Sequence, residues 1–207
     1  MKKAGWERNY YLIDGFPRNQ ENIDAWEKIF KEKVDVKFTL CYDCSLETME
    51  KRIMERAKTS GRSDDNPEAI KKRFQTYQDE TKPVIEHFEA KNLIRKINAE
   101  REVDEVFADT KNILDTIKDI LKPPVEETKP NAIFVLGGPG SGKGTQCEKI
   151  ITDFGLKHLS VGDLLRMEMN TESPLAQQIK ECMSQGKLVP VRVFFFFSLS
   201  KLVGSSS

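Results

Sequence analysis

The 207-residue sequence is poor in the features that mark secreted, membrane-spanning or nucleic-acid-binding proteins. Its four cysteines are too few for a disulfide framework and suit a reducing compartment. The longest aromatic and apolar run, at 193–197, is too short to span a bilayer, and no stretch has the layout of a signal peptide. The 33 basic and 33 acidic residues cancel, so the net charge favours neither a nucleic acid polymer nor a membrane as partner. We therefore expect a cytoplasmic protein, with the nucleus as an alternative location.

Short apolar runs alternate with longer stretches of helical periodicity, which is typical of an α/β protein whose parallel sheet is covered on both faces. The pattern predicts strands near 10–13, 36–40, 93–97, 133–136 and 158–160. It predicts helices near 20–31, 46–57, 67–90, 102–121, 145–153, 162–169 and 174–185. Because buried parallel strands need neighbours on both edges, we expect the strand at 133–136 to lie between those at 10–13 and 36–40.

A glycine-rich segment, GGPGSGKGT at 137–145, directly follows the predicted strand at 133–136 and precedes a helical stretch. A strand, a glycine turn and a helix together direct backbone N–H groups at an anion at the helix N-terminus. Lys143 would then reach the terminal phosphates of a nucleotide. The alternative is a plain turn that happens to contain a lysine. The glycines, Lys143 and Thr145 fall at the spacing of a phosphate-binding loop, which favours the first interpretation.

A second group of polar residues lies near the start of the chain, in the segment DGFPR at 14–18. Asp14 closes a predicted strand, so its carboxylate can face a magnesium ion or the waters bound to it. The guanidinium of Arg18 can bind a phosphate through two parallel hydrogen bonds. These two side chains therefore indicate phosphate chemistry at the end of the first strand.

Three further arginines lie in or beside the segment 55–66, which joins two predicted helices: Arg56, Arg62 and Arg73. With the lysine and the arginine named above, they can form the cationic cage that phosphoryl transfer requires, because that reaction depends mainly on positioning and charge neutralisation. The alternative for each arginine taken singly is a place on a solvated, charged face of a helix.

A third group follows the glycine-rich loop. Ser160 and Arg166 lie around the start of the predicted helix at 162–169, and the segment GKLVP at 186–190 ends the next helix. Taken alone, Ser160 would be an N-terminal helix cap and Arg166 a surface residue.

These motifs together resemble the nucleoside monophosphate kinases, the group that includes adenylate kinase and UMP-CMP kinase. The segments that carry the resemblance are GGPGSGKGT, HLSVGDLLR, GKLVP, DGFPRNQEN and ERAKTSGRSDDN, and residues 1–120 and 131–193 are covered. The resemblance implies a P-loop kinase fold with a short, arginine-bearing lid. It also implies transfer of the γ-phosphate of ATP to a nucleoside monophosphate, with Mg²⁺ as cofactor and Asp14 as its ligand through water.

Matched position by position, the resemblance implies a role for each motif residue. Lys143, Arg18, Arg62 and Arg73 would be catalytic. ATP would be held by Gly140, Ser141, Gly142, Lys143, Gly144, Thr145, Arg56 and, near the base, by the backbone of Arg101. The monophosphate would be held by Ser160, Arg166, Lys187, Leu188, Val189, Gly15, Phe16, Pro17, Arg18, Asn22, Arg62 and Arg73.

The residue type at position 22 distinguishes two branches of this group, and this chain has Asn22. In the segment GFPRNQEN an asparagine stands four residues after Arg18, as in UMP-CMP kinases, whereas adenylate kinases have a glutamine there. An amide can both donate and accept hydrogen bonds at a pyrimidine edge. We therefore favour CMP or UMP as the phosphate acceptor, with AMP as the alternative.

The order of the motifs departs from the family, because relatives begin with the glycine-rich loop and reach DGFPR later. The sequence predicts the back half of a kinase unit at 1–120, a proline-rich linker at 121–130, the front half of a unit at 131–193 and an unmatched tail at 194–207. A ten-residue linker spans about 33 Å when extended, so both halves can form one site.

Three hypotheses follow from this order. The chain is an active kinase with permuted halves, an inactive nucleotide-binding piece of a longer tandem kinase, or a non-enzymatic P-loop module. The partners expected are ATP and a nucleoside monophosphate, with the chain a monomer or part of a longer tandem protein.

Overall fold

The computed structural model describes residues 10–62, 65–117, 129–191 and 193. It contains a sheet of five parallel strands flanked by helices, which confirms the predicted α/β class. The strands overlap all five predicted runs: β1 (Tyr10–Asp14), β2 (Asp35–Asp43), β3 (Ile94–Asn98), β4 (Asn131–Gly137) and β5 (Lys157–Ser160).

The helices also follow the predicted pattern: α1 (Gln20–Phe30), α2 (Leu46–Ala57), α3 (Pro67–Thr76), α4 (Lys82–Ala90), α5 (Val103–Asp115), α6 (Lys143–Phe154), α7 (Val161–Met169) and α8 (Pro174–Ser184). Several begin at a polar residue whose side chain accepts a hydrogen bond from a backbone N–H of the first turn: Asn19, Ser45, Asn66, Ser160 and Ser173. Such caps stabilise a helix start by about 1 kcal/mol, so local chemistry sets these boundaries.

The sheet has the strand order β3-β2-β4-β1-β5. β4 therefore lies between β1 and β2, which confirms the predicted position of the run at 133–136. In register, Ile133 pairs with Leu12 of β1 on one side and with Phe38 of β2 on the other. Strands from before the linker (β1, β2 and β3) and from after it (β4 and β5) thus interleave in one sheet.

The core consists of two apolar layers, one on each face of the sheet. Alternate residues of β4 divide between them: Phe134 and Leu136 face the layer that contains α1 and α4, whereas Ile133 and Val135 face the layer that contains α5 and α6. All four side chains are buried, as expected for a central parallel strand. Burial on both faces explains why β4 is a continuous apolar run in the sequence.

The prediction of one continuous α-helix over 67–90 is wrong in its middle. α3 and α4 are separated by a wider helical turn of the π type at Tyr77–Thr81. Pro83 has no backbone N–H to donate to the residue four positions earlier, and the N–H of Lys82 instead donates to the carbonyl of Tyr77. The turn places Tyr77 and Thr81 beside the cavity described below.

Some predicted segments fall outside the described residues. These are the tail at 194–207, most of the linker at 121–130 and the end of the helix predicted over 102–121. Within the described part of the chain, no helix combines the length and the apolar character needed to cross a membrane.

Candidate active site

The glycine-rich loop joins the carboxyl end of β4 to the first turn of α6. Gly140 has a φ of +81°, and a Cβ at this position would lie 2.5 Å from the carbonyl oxygen of Met49. Only glycine therefore lets the loop pass so close to α2. The N-terminus of α6 is left facing the loop, which is the geometry that binds phosphate groups.

Lys143 begins α6 and folds back over the loop. Its Nζ donates to the carbonyl oxygens of Gly137 and Gly138, each at 2.8 Å. Burial is the main cause that lowers the pKa of Lys143 to about 8, and the positive charges of Arg18 and Arg73 lower it further. The nearby carboxylate of Asp14 opposes this shift. Lys143 is thus a partly desolvated cation at the centre of the loop.

The segment after β1 places the second group of predicted residues. The Nε of Arg18 donates to the carbonyl of Gly15 at 2.8 Å, and its backbone N–H donates to Oδ1 of Asn22 at 3.0 Å. Thr81 also donates its hydroxyl to the carbonyl of Arg18, at 3.0 Å. These bonds hold Arg18 and Asn22 in a fixed relation at the carboxyl end of β1.

The connection between α2 and α3 is organised by Asp65, whose side chain is 1% exposed. Arg56 donates to both of its carboxylate oxygens, at 2.6 and 2.9 Å, and Arg73 donates at 3.0 Å. Burial by itself raises the pKa of Asp65, but the hydrogen bonds and charge of Arg56, with Ser60 and Arg73, hold it below its ordinary value. One carboxylate therefore aligns two of the predicted site arginines.

Arg62 has a different environment from the other two arginines of this connection. Its pKa is lowered by burial first, and then by the positive charges of Arg166 and Arg56. The carboxylates of Asp163 and Asp65 oppose the shift. Arg62 thus faces cations contributed by both segments of the chain, an arrangement that a bound polyanion would stabilise.

The residues around α7 form a further part of the site. Ser160 caps the helix by accepting from the backbone N–H of Asp163 at 3.2 Å, as its local sequence predicts. Arg166 donates to the carboxylate of Asp163 at 2.5 Å. Thr76 of α3 donates its hydroxyl to the carbonyl of Gly186 at 3.2 Å, which ties the 186–189 segment to the rest of the site.

Two cavities meet in this region. The first, of about 140 Å³, is lined by residues of the segment after β1, the π turn, α7 and the 186–189 segment. The second, of about 550 Å³, extends from the glycine-rich loop to α5 and the α2–α3 connection. Its volume falls within the range of about 300–1,000 Å³ that is usual for small-molecule sites. Both are lined by Arg18, Arg73, Pro139, Lys143, Gly162 and Arg166, so four cations lie at the junction.

The structure distributes the predicted site residues between the two cavities, and of them only Pro17 lines neither. The first cavity contains Gly15, Phe16, Asn22, Lys187, Leu188 and Val189 in addition to the junction residues. The second contains Asp14, Arg56, Arg62, Arg101, Ser160, Gly140, Ser141, Gly142, Gly144 and Thr145. Ser160 and Arg62, both implied to hold the monophosphate, thus line the second cavity and not the first.

Some lining residues were missed from the sequence. Tyr77 and Thr81 belong to a turn that the helical periodicity concealed, and Val103 and Arg52 have no motif of their own. Asp65 was also missed as the partner of two site arginines. The only signal for it was its place in the arginine-rich segment.

Asp14 is the described residue that best fits a magnesium ion in the second cavity. Its Oδ1 is buried with no hydrogen-bond partner among the described residues. A carboxylate oxygen is the ligand that Mg²⁺ prefers, and one carboxylate with waters and phosphates is a usual coordination. The residue is therefore suited to hold Mg²⁺ directly or through water.

Comparison with known proteins agrees with this geometry. A family model described as adenylate kinase matches residues 1–93 and 135–203. The chain belongs to the adenylate kinase family. The two matched segments include both the DGFPR segment and the part of the chain from Val135 that carries the glycine-rich loop, so family membership rests on both halves.

Individual relatives cover different shares of the chain. UMP-CMP kinase of Danio rerio is 51% identical over 113 residues, 55% of this chain and 58% of the relative. UMP-CMP kinase of Homo sapiens is 48% identical over 112 residues, 54% of this chain and 57% of the relative. Adenylate kinase isoenzyme 5 of Homo sapiens is 33% identical over 224 aligned positions, 86% of this chain and 39% of the relative. The chain therefore spans less than two thirds of each of these proteins.

Proposed function

We propose that this chain is a nucleoside monophosphate kinase unit that transfers the γ-phosphate of ATP to a nucleoside monophosphate. The observation that carries the proposal is the junction of the two cavities, where Arg18, Arg73, Lys143 and Arg166 converge. During phosphoryl transfer, the negatively charged phosphates of ATP and of the nucleoside monophosphate lie next to each other. Four cations at the junction supply the neutralisation that such a transfer requires.

In this proposal the second cavity holds ATP. The glycine-rich loop and the N-terminus of α6 bind its phosphates, and Lys143 exchanges its two carbonyl acceptors for phosphate oxygens. Arg56 and Arg101, which line the same cavity, lie near the base. When bound at Asp14, Mg²⁺ supplies charge neutralisation at the phosphates.

The first cavity then holds the monophosphate. Arg18 and Arg166 bind its phosphate group, and both already have acceptors that fix their orientation, at Gly15 and Asp163. Arg62 and Arg73 lie by the transferred group from the side of the α2–α3 connection. The chain's own residues therefore act by positioning and by charge, and none of them forms a covalent bond with the substrate.

Asn22 supports CMP or UMP as the preferred acceptor. Its side chain lines the first cavity, and its Oδ1 already accepts from the backbone of Arg18. The Nδ2 amide is then the polar group left for a base, and it can donate to the ring carbonyl of a pyrimidine. The matched kinases whose names specify UMP and CMP, at about 50% identity, support the same preference.

The arrangement of halves at 1–120 and 131–193 supports the tandem interpretation over a permuted single unit. An alignment preserves sequence order, and the one with adenylate kinase isoenzyme 5 covers 86% of this chain, so it includes parts of both halves. The same order therefore occurs within one stretch of that relative. We infer that the linker at 121–130 joins consecutive kinase repeats, and that in this chain the two halves complete one another as the single unit proposed above.

A coupled assay of ADP release, with AMP, CMP and UMP compared as acceptors, tests the proposal. We expect CMP or UMP to give the higher kcat/KM. Turnover with AMP alone would assign the chain to the adenylate kinases. Binding of ATP without turnover on any acceptor would show an inactive nucleotide-binding piece, and absence of both would refute the proposal.

The variant Asn22→Gln tests the basis of specificity. We expect it to shift the ratio of CMP to AMP turnover towards AMP, because a site built to hydrogen-bond one base leaves polar groups unpaired with another. Asn112→Gln on the exposed surface of α5 is the matched control. An unchanged ratio in Asn22→Gln would limit Asn22 to its hydrogen bond with Arg18.

A further inference from the structure

Three side chains of different chemistry meet between the end of β1, α6 and β5. One carboxylate oxygen of Asp14, the Sγ of Cys147 and one imidazole nitrogen of His158 all lie within 4.8 Å of one another. The residues are far apart in sequence, at the end of β1, in α6 and in β5. Only Asp14 lines either of the two cavities.

The fold explains why they meet. β5 pairs with β1 so that His158 is opposite Leu12 and Ser160 is opposite Asp14. Alternate residues of a strand point to the same face, so His158 and Asp14 are on the face of Leu12. Leu12 packs in the same core layer as Cys147, and α6 therefore covers the pair from that face.

The polar atoms of this cluster have unmet hydrogen-bonding capacity. Both Oδ1 of Asp14 and Nε2 of His158 are buried without a hydrogen-bond partner in the described part of the chain. A buried polar group without a partner costs about 1–3 kcal/mol. Two such atoms beside a fully buried thiol need an explanation, and a shared ligand provides one.

The donor set suits a divalent cation with affinity for sulfur and nitrogen. A carboxylate, a thiolate and a neutral imidazole together carry two negative charges, which a divalent ion neutralises. Zn²⁺ accepts all three donors at about 2.0–2.3 Å, so its ligand atoms lie roughly 3.3–3.8 Å apart. The three atoms need to close by about 1 Å, which small side-chain rotations provide. Mg²⁺, by contrast, prefers oxygen ligands.

We propose that Asp14, Cys147 and His158 form a binding site for Zn²⁺ or a similar thiophilic divalent cation. Water supplies the fourth ligand, from the side of the second cavity. When the ion binds, the thiol of Cys147 becomes a thiolate ligand and its proton is released to solvent. Because it engages the Asp14 carboxylate, which under the proposed function holds Mg²⁺, occupancy of this site inhibits the kinase.

Titration with Cd²⁺ tests the site without reference to activity. Cd²⁺ has the same ligand preference as Zn²⁺ and gives an ultraviolet charge-transfer absorption when a thiolate binds it. The reduced 207-residue chain is titrated in the absence of nucleotide and Mg²⁺. We expect this absorption in the wild-type protein and its loss in Cys147→Ala. We also expect Zn²⁺ to raise the melting temperature of the wild type but not that of Cys147→Ala.

The matched controls are Cys44→Ser and Cys182→Ser, which change free thiols outside the cluster. Both should keep the absorption of the wild type. His158→Gln keeps the thiol but removes a ligand, so it should weaken Cd²⁺ binding by at least about tenfold. It also serves if Cys147→Ala fails to fold.

Several outcomes would overturn the proposal. They are no thiolate absorption in the wild type, an absorption that persists in Cys147→Ala, or an affinity that His158→Gln leaves unchanged. Inhibition is measured separately: Zn²⁺ should inhibit wild-type turnover at concentrations that leave His158→Gln active. Metal binding in a chain without kinase activity would support this site while the proposed function fails.

Discussion

Three cationic side chains at the junction of the cavities, Lys143, Arg73 and Arg166, each donate hydrogen bonds to a nearby acceptor. Like charges at the junction repel one another, and each such cation needs compensation. Lys143 uses loop carbonyls, whereas Arg73 uses the carboxylate of Asp65 and Arg166 that of Asp163. The residues are thus pre-oriented, and substrate phosphates replace some of these acceptors. Pre-orientation of this kind lowers the cost of reorganisation during the transfer.

At the residue scale, Lys143→Met should abolish phosphoryl transfer with little effect on folding. The ammonium group neutralises charge in the transition state, and its removal should lower kcat by at least about 100-fold. Methionine keeps most of the aliphatic stem in its partly buried position. Steady-state kinetics and thermal melting measure the two effects. Lys180→Met, on the exposed face of α8, is the control, and normal turnover in Lys143→Met would end the assignment.

The lowered pKa of Lys143 predicts a pH dependence. The free protein loses the ammonium proton as the pH rises through about 8, so kcat/KM for ATP should fall above this pH. Bound phosphates favour the charged form, so the corresponding fall in kcat should occur at higher pH. Profiles of both constants test this. In Lys143→Arg the side chain stays charged, and its ATP affinity should lack the fall near pH 8.

The lowered pKa of Lys143 also makes the free energy of unfolding depend on pH. Because the pKa is lower in the folded state than in the unfolded chain, the unfolded state binds more protons between about pH 8 and 10.5. The free energy of unfolding should therefore rise across this interval in the wild type relative to Lys143→Met. Urea denaturation at several pH values measures the difference. A difference that is constant with pH would show that the lysine is not desolvated.

At the scale of elements, the α2–α3 connection and the π turn position the site. Asp65 joins the C-terminal end of α2 to the last turn of α3 through Arg56 and Arg73. The π turn then aims Thr81 at the carbonyl of Arg18. A regular helix through this region would rotate these side chains away from their partners, because each extra residue in a turn changes the direction of all that follow.

Asp65→Asn should destabilise the fold. Two arginines would lose their carboxylate, and we expect a loss of about 1–3 kcal/mol in the free energy of unfolding. Since the pKa of Asp65 is held below its ordinary value, the stability that it contributes is lost as the pH falls through that lowered pKa. Urea denaturation at neutral and acidic pH should show the difference between wild type and variant shrinking on acidification.

Asp153→Asn is the control for this prediction. Its carboxylate pairs with Lys111 at 3.4 Å on the surface, where an ion pair contributes less than about 1 kcal/mol. If both variants lose equal stability, Asp65 has no special role in the connection.

At the scale of the whole molecule, the central strand comes from the later segment of the chain. β4 lies between β1 and β2. Without β4, the strands from the part of the chain before the linker would not form a continuous sheet. The cations of the junction likewise come from both segments. The fold and the site therefore both depend on the association of the part of the chain before the linker with the part after it. Neither part can form the site by itself.

A nick in the linker tests this dependence. A protease recognition sequence inserted between Pro124 and Val125 allows the folded chain to be cut. We expect the two fragments to co-elute after cleavage and to retain ATP binding, because the strand pairing and both core layers hold them together. The uncut insertion variant is the control. Fragments that separate without denaturant would contradict the single sheet.

The sequence by itself determined the features that depend on neighbours along the chain. Apolar periodicity located all five strands, the capping residue Ser160 marked a helix start, and the spacing of the glycines located the loop before Lys143. These signals are local, because they arise from backbone geometry and from hydrogen bonds within one turn. The place of β4 between β1 and β2 also followed from the sequence, since a run that is apolar on both faces needs two neighbours.

Only the tertiary structure decided the contacts between distant residues. It brought Asp65 to both Arg56 and Arg73, and it brought Cys147 close to His158. No local pattern encodes these contacts, because each depends on how helices pack on the sheet and on the register of β5 against β1. The π turn at Tyr77–Thr81 was hidden for a related reason: its apolar spacing resembles that of a regular helix, and packing decides where the extra residue is placed.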